Sequence, residues 1–287
     1  MSPRSDLKVR PALIADTRSI ANLIQFSPQV HRHLDWRDPL GWIGTPPFFV
    51  LESQGQVIAA LGCPPDPPSI AWVRLFVNSG KIALEKSWEL LWNSSREDLK
   101  KMGHHVAAVI VIKDWFHDLL KATGFTSPQS IVMLERDGGT PPSLAPENQV
   151  TIRSMRAFDL PAVAEVDALA FELLWQNSLP VLERAFPQAF WPSVAEYQDE
   201  VVGYQLSTRN SLGVHLARLA VRPSCQGKGL GYALVADLIQ KAGKSGITHL
   251  TVNTQSDNAE SLALYQKLDF RETRDRYPVY MQDVSSE

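Results

Sequence analysis

The sequence predicts an α/β (α+β) protein built as two tandem copies of one unit, each a mixed central β-sheet flanked by helices. Three observations predict it. The chain repeats itself at offsets of 143 to 145 residues, strand-like and helix-like patterns alternate inside each copy, and a glycine-rich turn joins a strand to a helix in the second copy. Helices laid over a mixed sheet bury such alternating patterns most simply.

The repeat is read first, because it sets the boundaries. "VRPALIADTRSIANLI" from Val9 matches "IRSMRAFDLPAVAEVD" from Ile152, aligning Arg10 with Arg153 and Asp16 with Asp159. "VLESQGQVIAAL" from Val50 matches "VAEYQDEVVGYQL" from Val194, and "VRLFV" from Val73 matches "ARLAV" from Ala217. "LLKATGF", ending at Phe125, matches "LYQKLDF", ending at Phe270. The matches keep the same order along the chain. Between the copies, "ERDGGTPPSLAPENQV" is rich in glycine and proline and reads as a linker. The expected organisation is therefore a first domain over 1–134, a linker over 135–150 and a second domain over 151–287.

Each copy opens with a strand and helical segments. Two or three strands follow, then a helix, a strand, a second helix and a last strand. In the second copy the strands rest on "SVAEY", "VVGYQLS", "VHLARLAV" and "HLTVNT". A helix from Gly229 to about Lys241 places Leu230, Ala233, Leu234 and Leu238 on one face. Another, from about Ala259 to Leu268, aligns Leu262, Tyr265 and Leu268.

Composition narrows the function classes. A 44 % hydrophobic, 21 % charged chain is ordinary for a soluble globular protein. No apolar run approaches the roughly 18 residues of a membrane span, and the first residues lack an apolar signal core. A net charge of -3 gives no electrostatic footprint for nucleic acid. Cys63 and Cys225 lie far apart, make no metal spacing and suit a reducing cytoplasm. A cytoplasmic protein with no metal is expected.

The chemistry gathers at "VRPSCQGKGLGYALVADLIQ", residues 221–240, where Gly227, Gly229 and Gly231 stand at the start of a helix. The first N–H groups of a helix lack partners, and the macrodipole places partial positive charge there. Glycines let a phosphate approach those groups, and Lys228 adds a mobile cation. The Walker spacing is absent, and the spacing and late position do not fit a dinucleotide fold.

The spacing Gln226-x-x-Gly229-x-Gly231 resembles the Q/R-x-x-G-x-G/A pattern of the GCN5-related N-acetyltransferase superfamily. "LARLAVRPSCQGKGLGYALVADLI" is similar to that family's fourth strand, pyrophosphate loop and third helix. "LTVNTQSDNAESLALYQKLDF" is similar to its fifth strand and following helix. Asp269 departs from the pattern, which usually has glycine there. The first copy keeps only the scaffold: it reads "VNSGKIALEKSW" after Val77 and "DWFHDLLKATGF" at the second helix, without the loop, the asparagine or the tyrosine. A degenerate first copy and one active site in the second are expected.

The resemblance implies acetyl-CoA as donor, with direct transfer to a primary amine of a small molecule or a peptide N-terminus. It implies that the backbone at Leu219, Ala220 and Val221 pairs with the pantetheine arm as an added strand would. The N–H groups of Gln226, Gly227, Lys228, Gly229, Leu230, Gly231 and Tyr232 would hold the pyrophosphate, and Asn258 would lie near the thiol. Tyr265 would be the general acid for the departing thiolate, or else a core aromatic. His215, at a strand position where relatives carry a glutamate, is the candidate base, with Ala71 in the first copy. Glu196 is the second candidate, weakened by its match to Glu52, and Arg218 matches Arg74 and reads as structural. Phe171, Trp175, Phe186, Phe190 and Trp191 line an acceptor pocket or seal the core. A CoA-binding sensor and a longer-chain acyltransferase are the competing readings.

Overall fold

The computed structural model describes residues 7–103, 106–138 and 150–285. The chain forms two compact units: residues up to Pro128 together with those from Tyr277 onward, and Gln129–Arg276.

The first unit opens with β1 (Leu7–Pro11), α1 (Thr17–Phe26) and β2 (Gln29–Arg32). Then come β3 (Phe48–Ser53), β4 (Gln56–Gly62), β5 (Ile70–Trp72), β6 (Leu75–Asn78), α2 (Leu84–Lys101), β7 (Val106–Ile110) and α3 (Trp115–Ala122). One sheet runs β1-β3-β4-β6-β2, and β5 pairs in parallel with β7. Helix α2 buries Trp88, Leu91, Trp92 and Leu99 at helical spacing. Trp88 stacks on Trp92 with ring centroids 5.6 Å apart, and Phe76, Phe116 and Phe125 complete this core.

The chain then enters β8 (Thr126–Asp137), whose outer part belongs to the second unit. There follow β9 (Val150–Ser154), α4 (Leu160–Ala170), α5 (Leu179–Ala185), β10 (Ser193–Tyr197), β11 (Glu200–Arg209) and β12 (Val214–Val221). The chain ends with α6 (Leu230–Lys244), β13 (His249–Gln255), α7 (Ala259–Lys267) and β14 (Arg271–Asp283). The second sheet runs β8-β13-β12-β11-β10-β9, antiparallel except where β12 meets β13. Leu216, Val235, Leu238, Val252, Leu268 and Phe270 lie in the core between this sheet and helices α6 and α7.

The predicted α/β architecture is the one observed, and the second copy keeps the expected order of elements; the first carries five strands, β2 to β6, between its first two helices where two or three were expected. The boundaries differ from the expected succession 1–134, 135–150 and 151–287. Residues 131–137, the end of the first repeat, pair antiparallel with β13 in the second unit. Residues 279–283, the end of the second repeat, pair antiparallel with β7 in the first. Each unit thus receives its closing strand from the other repeat's sequence. Glu135–Asp137, expected as linker, finish a strand whose buried Val132 and Leu134 alternate with more exposed neighbours. The rest of the expected linker, 139–149, lies outside the described residues.

The duplication is preserved in detail. Arg10 donates to both carboxylate oxygens of Asp16 at 2.7 and 2.9 Å and to Glu52 at 2.8 Å. Arg153 does the same to Asp159 at 2.7 and 2.8 Å and to Glu196 at 2.6 Å. Both aspartates also accept a backbone N–H, from Leu13 and Arg156, just before the first helix of each repeat. Each triad ties the opening strand to the second strand of its own sheet.

Candidate active site

Strand β12 organises the site. It pairs with β11 along its whole length but with β13 only from Val214 to Leu216. Beyond Leu216 the two parallel strands part, and residues 217–221 have no strand partner on that side among the described residues. A notch opens there, edged by the backbone of Leu219, Ala220 and Val221.

A bulge sits at the parting point. Leu206 faces Arg218 and Ser207 faces Leu216, so Ala217 is an extra residue on β12. It reverses the pleat. Val214 and Leu216 pack towards α6, and past the bulge Leu219 and Val221 do so instead. Counting pleats back from Val221 without the bulge would put His215 on the α6 face. The extra residue puts it on the opposite face, with Arg218 and Ala220.

The glycine-rich turn follows β12 directly. Gly227 has φ +75° and Gly229, the N-cap of α6, has φ +81°, both in the left-handed region that disfavours a side chain. Gly231 is needed for a different reason: a Cβ there would come 3.2 Å from Leu264 on α7. The glycines shape the turn and let two helices approach, rather than only clearing space for a ligand. Ala233 N–H donates to Gly229 C=O, closing the first helical bond. The N–H groups of Leu230, Gly231 and Tyr232 therefore precede any i−4 partner and project from the helix start.

Gln226 departs from its expected role. Its side-chain amide donates to Val221 C=O at 3.0 Å, and its backbone N–H is used by Pro223 C=O at 3.2 Å. It folds the loop back on β12 instead of offering its own N–H. Lys228 is exposed, with its ammonium 5.9 Å from the Tyr197 ring. Asn258 caps α7, its Oδ1 accepting from Ser261 N–H at 3.0 Å. That occupies the side-chain oxygen and fixes the helix that carries Tyr265.

Tyr265 is 4 % exposed, packed near Phe270 with centroids 5.8 Å apart. Burial pushes its phenol above the ordinary value, so the hydroxyl stays protonated across the working pH range. His215 lies on the other face of the sheet, its Nδ1 2.8 Å from Thr251 Oγ1 on β13. Burial lowers its pKa, favouring the neutral ring, and the Thr251 contact leaves Nε2 for another partner. Glu196 is bound to Arg153, which holds its carboxyl below the usual range, so this second candidate is a poor base.

Arg218 is structural, as the repeat suggested, but its network was not legible in advance. It donates to both oxygens of Asp167, which is 0 % exposed, at 2.8 Å each, and to Trp175 C=O at 2.6 Å. Tyr204 also donates to Asp167, and the guanidinium lies 3.5 Å from the Phe171 ring centroid. An aspartate within the apolar run "VAEVDALAF" was the available signal. The network fastens the Phe171–Trp175 segment beside β12. Phe171, Trp175, Phe186, Phe190 and Trp191 are all half-buried, and Phe190 and Trp191 pack against the core between the sheet and helices α6 and α7.

Glu135 and Asp137 on β8 and His249 on β13 each offer a ligand atom within 4.8 Å of the others. This set could hold a cation, although Asp137 and His249 already pair at 2.6 Å. Among the described residues no helix is long and apolar enough to cross a membrane.

The notch, the glycine turn and the helix start all lie within residues 157–270, the part of the chain that matches the acetyltransferase (GNAT) family and supports an acyltransferase. The chain is 28 % identical over 142 residues to the [ribosomal protein bS18]-alanine N-acetyltransferase of Escherichia coli (strain K12), covering 45 % of this chain and 87 % of the relative. It is 29 % identical over 134 residues to an uncharacterized N-acetyltransferase of Methanocaldococcus jannaschii, covering 46 % and 84 %. A tandem GNAT protein from the clavulanic acid biosynthesis pathway shares the fold with a TM-score of 0.64 at 15 % identity, over 98 % of this chain and 100 % of that one. A GCN5-related N-acetyltransferase from Sphaerobacter thermophilus gives 0.63 at 17 % identity, over 97 % and 96 %.

Proposed function

We propose that the second repeat transfers the acetyl group of acetyl-CoA to a primary amine of a small molecule or peptide N-terminus, in one ternary complex. The observation that carries this is the bare edge of β12 running directly into the glycine turn and the start of α6. An extended amide-bearing arm can add to that edge as a strand would. A pyrophosphate would then meet the N–H groups from Gly227 to Tyr232, with Lys228 beside them. Acetyl-CoA supplies an activated acyl group. The chain supplies a neutral imidazole at His215 to take the amine proton, and a protonated phenol at Tyr265 to give one to the departing thiolate. The two groups lie on opposite faces of the sheet, which suits partners approaching from different sides.

The first repeat supports one site rather than two. Residues 75–78 of β6 correspond to 219–222 of the second repeat, and β2 pairs with them antiparallel. The chain's own strand fills the slot that the second unit leaves free. The loop after it is also self-satisfied: Gly80 N–H donates to Asn78 Oδ1 at 2.8 Å, and Glu85 sits in the first turn of α2, where it repels an anion. Calorimetric titration with acetyl-CoA tests the reading. One site per chain, abolished by Gly229→Glu, is expected; two equivalent sites, or none, would overturn it.

A further inference from the structure

The first unit has an unused polar cluster where β5 gives way to β6. Arg74 stands at that break, the repeat equivalent of Arg218, and is 5 % exposed. Its Nη1 donates to Asp35 at 2.7 Å and its Nη2 to Asp66 C=O at 2.7 Å. Its Nε, unlike that of Arg218, is buried without a partner. Trp42, 3 % exposed, lies with its ring centroid 5.0 Å from the Arg74 guanidinium carbon, and its indole Nε1 is buried and unpartnered too. His33 follows β2, its backbone N–H donating to Arg74 C=O at 3.0 Å. Its ring stacks on Trp72 at 4.8 Å, and its Nδ1 is a third buried atom with no partner.

Leaving a buried donor unsatisfied costs about 1–3 kcal/mol, and here three polar atoms in one neighbourhood are left so. We propose that this cluster is a ligand site, and that it binds a small uncharged carbonyl compound, an amide being the simplest fit. Two of the free atoms, Arg74 Nε and Trp42 Nε1, can only donate, so the ligand must present an acceptor oxygen. The third belongs to an imidazole, whose Nδ1 can accept from an amide N–H. Charge selects against an acid. The cations Arg74 and Arg37 are balanced by Asp35 and Asp66, so a carboxylate would add an uncompensated charge to a buried place. Burial, Arg74 and His31 all push His33 well below its ordinary pKa, which keeps its ring neutral and able to accept.

The test uses the full-length protein labelled at its tryptophan indoles, with benzamide as probe and benzoate as the charged comparator. Benzamide should shift the Trp42 indole N–H resonance saturably, and benzoate should bind at least about tenfold more weakly. Arg74→Lys keeps a cation opposite Asp35 but removes the Nε donor, and should weaken benzamide about tenfold, the scale of one hydrogen bond. Trp42→Phe keeps an aromatic ring without the indole donor; calorimetry should show a similar loss in the folded variant. If one variant fails to fold, the other decides, and if both fail, the wild-type comparison does. No saturable shift, benzoate binding as well as benzamide, unchanged affinity in the folded variants, or contact of the indole N–H with ordered water alone would each overturn the assignment.

Discussion

Arg32 stands opposite Leu75 in the register of β2 and β6, on the strand edge that Leu219 leaves bare in the second repeat. This pairing separates the two copies. An extended segment satisfies the backbone groups of β6, and the same groups on β12 remain to be met by something outside the sheet. The expectations below follow from that difference and from the groups around the notch.

Tyr265→Phe should leave acetyl-CoA affinity within a few-fold and lower turnover by about 10²-fold, the scale of losing a proton-transfer group. The ring stays packed against Phe270, so stability should change little. Single-turnover kinetics with a calorimetric affinity separate the two effects. Unchanged turnover would return Tyr265 to a packing role.

The proposed role of His215 carries a pH dependence. On the proposed assignment its neutral form takes the amine proton; burial lowers its pKa, so kcat/KM should rise with pH through a midpoint below 6.5 and be flat above it. His215→Ala should remove that limb, and His215→Glu should retain more activity than the alanine. Thr251→Val, which takes away the Nδ1 partner, should move the midpoint without abolishing the limb. A profile for His215→Ala that superimposes on the wild type would count against the assignment.

Asp269 sits at φ +62° where the first repeat has Gly124 at +86°. A side chain in the left-handed region costs about 1–2 kcal/mol, partly recovered because aspartate tolerates it better than most. Asp269→Gly relieves that strain and should therefore stabilise the protein by up to about 1 kcal/mol once glycine's greater unfolded-chain entropy is set against it, seen as a higher melting point. No rise, or a fall, would show that the aspartate has a compensating role.

The exchanged strands make a test by truncation. Removing residues from Tyr277 onward strips β7 of its antiparallel partner and takes Tyr280 and Val284 out of the first core. The first unit should lose protection against limited proteolysis, while acetyl-CoA binding in the second stays within a few-fold. A fragment of residues 151–287 lacks Val132 and Leu134, which pack in the core beside α6, and should fail to fold alone. A folded, active fragment would show β8 to be dispensable.

The sequence by itself determined the duplication, the order of strands and helices in the second copy, and the place of the glycine turn, because each is written in local periodicity or in matching residues. Its alignment of Arg10 with Arg153 and Asp16 with Asp159 became two copies of one ion-pair triad. Only the tertiary structure decided which strand closes which sheet, since an edge accepts any strand of suitable pattern and the choice depends on where the chain can reach. It decided the face of His215 as well: the bulge at Ala217 adds one residue, and with a period of two a single extra residue turns every side chain over. Thr251, Asp167 and Tyr204 became visible only then, for their roles lie in contacts across strands and between helix and sheet, which residue spacing along one chain does not record.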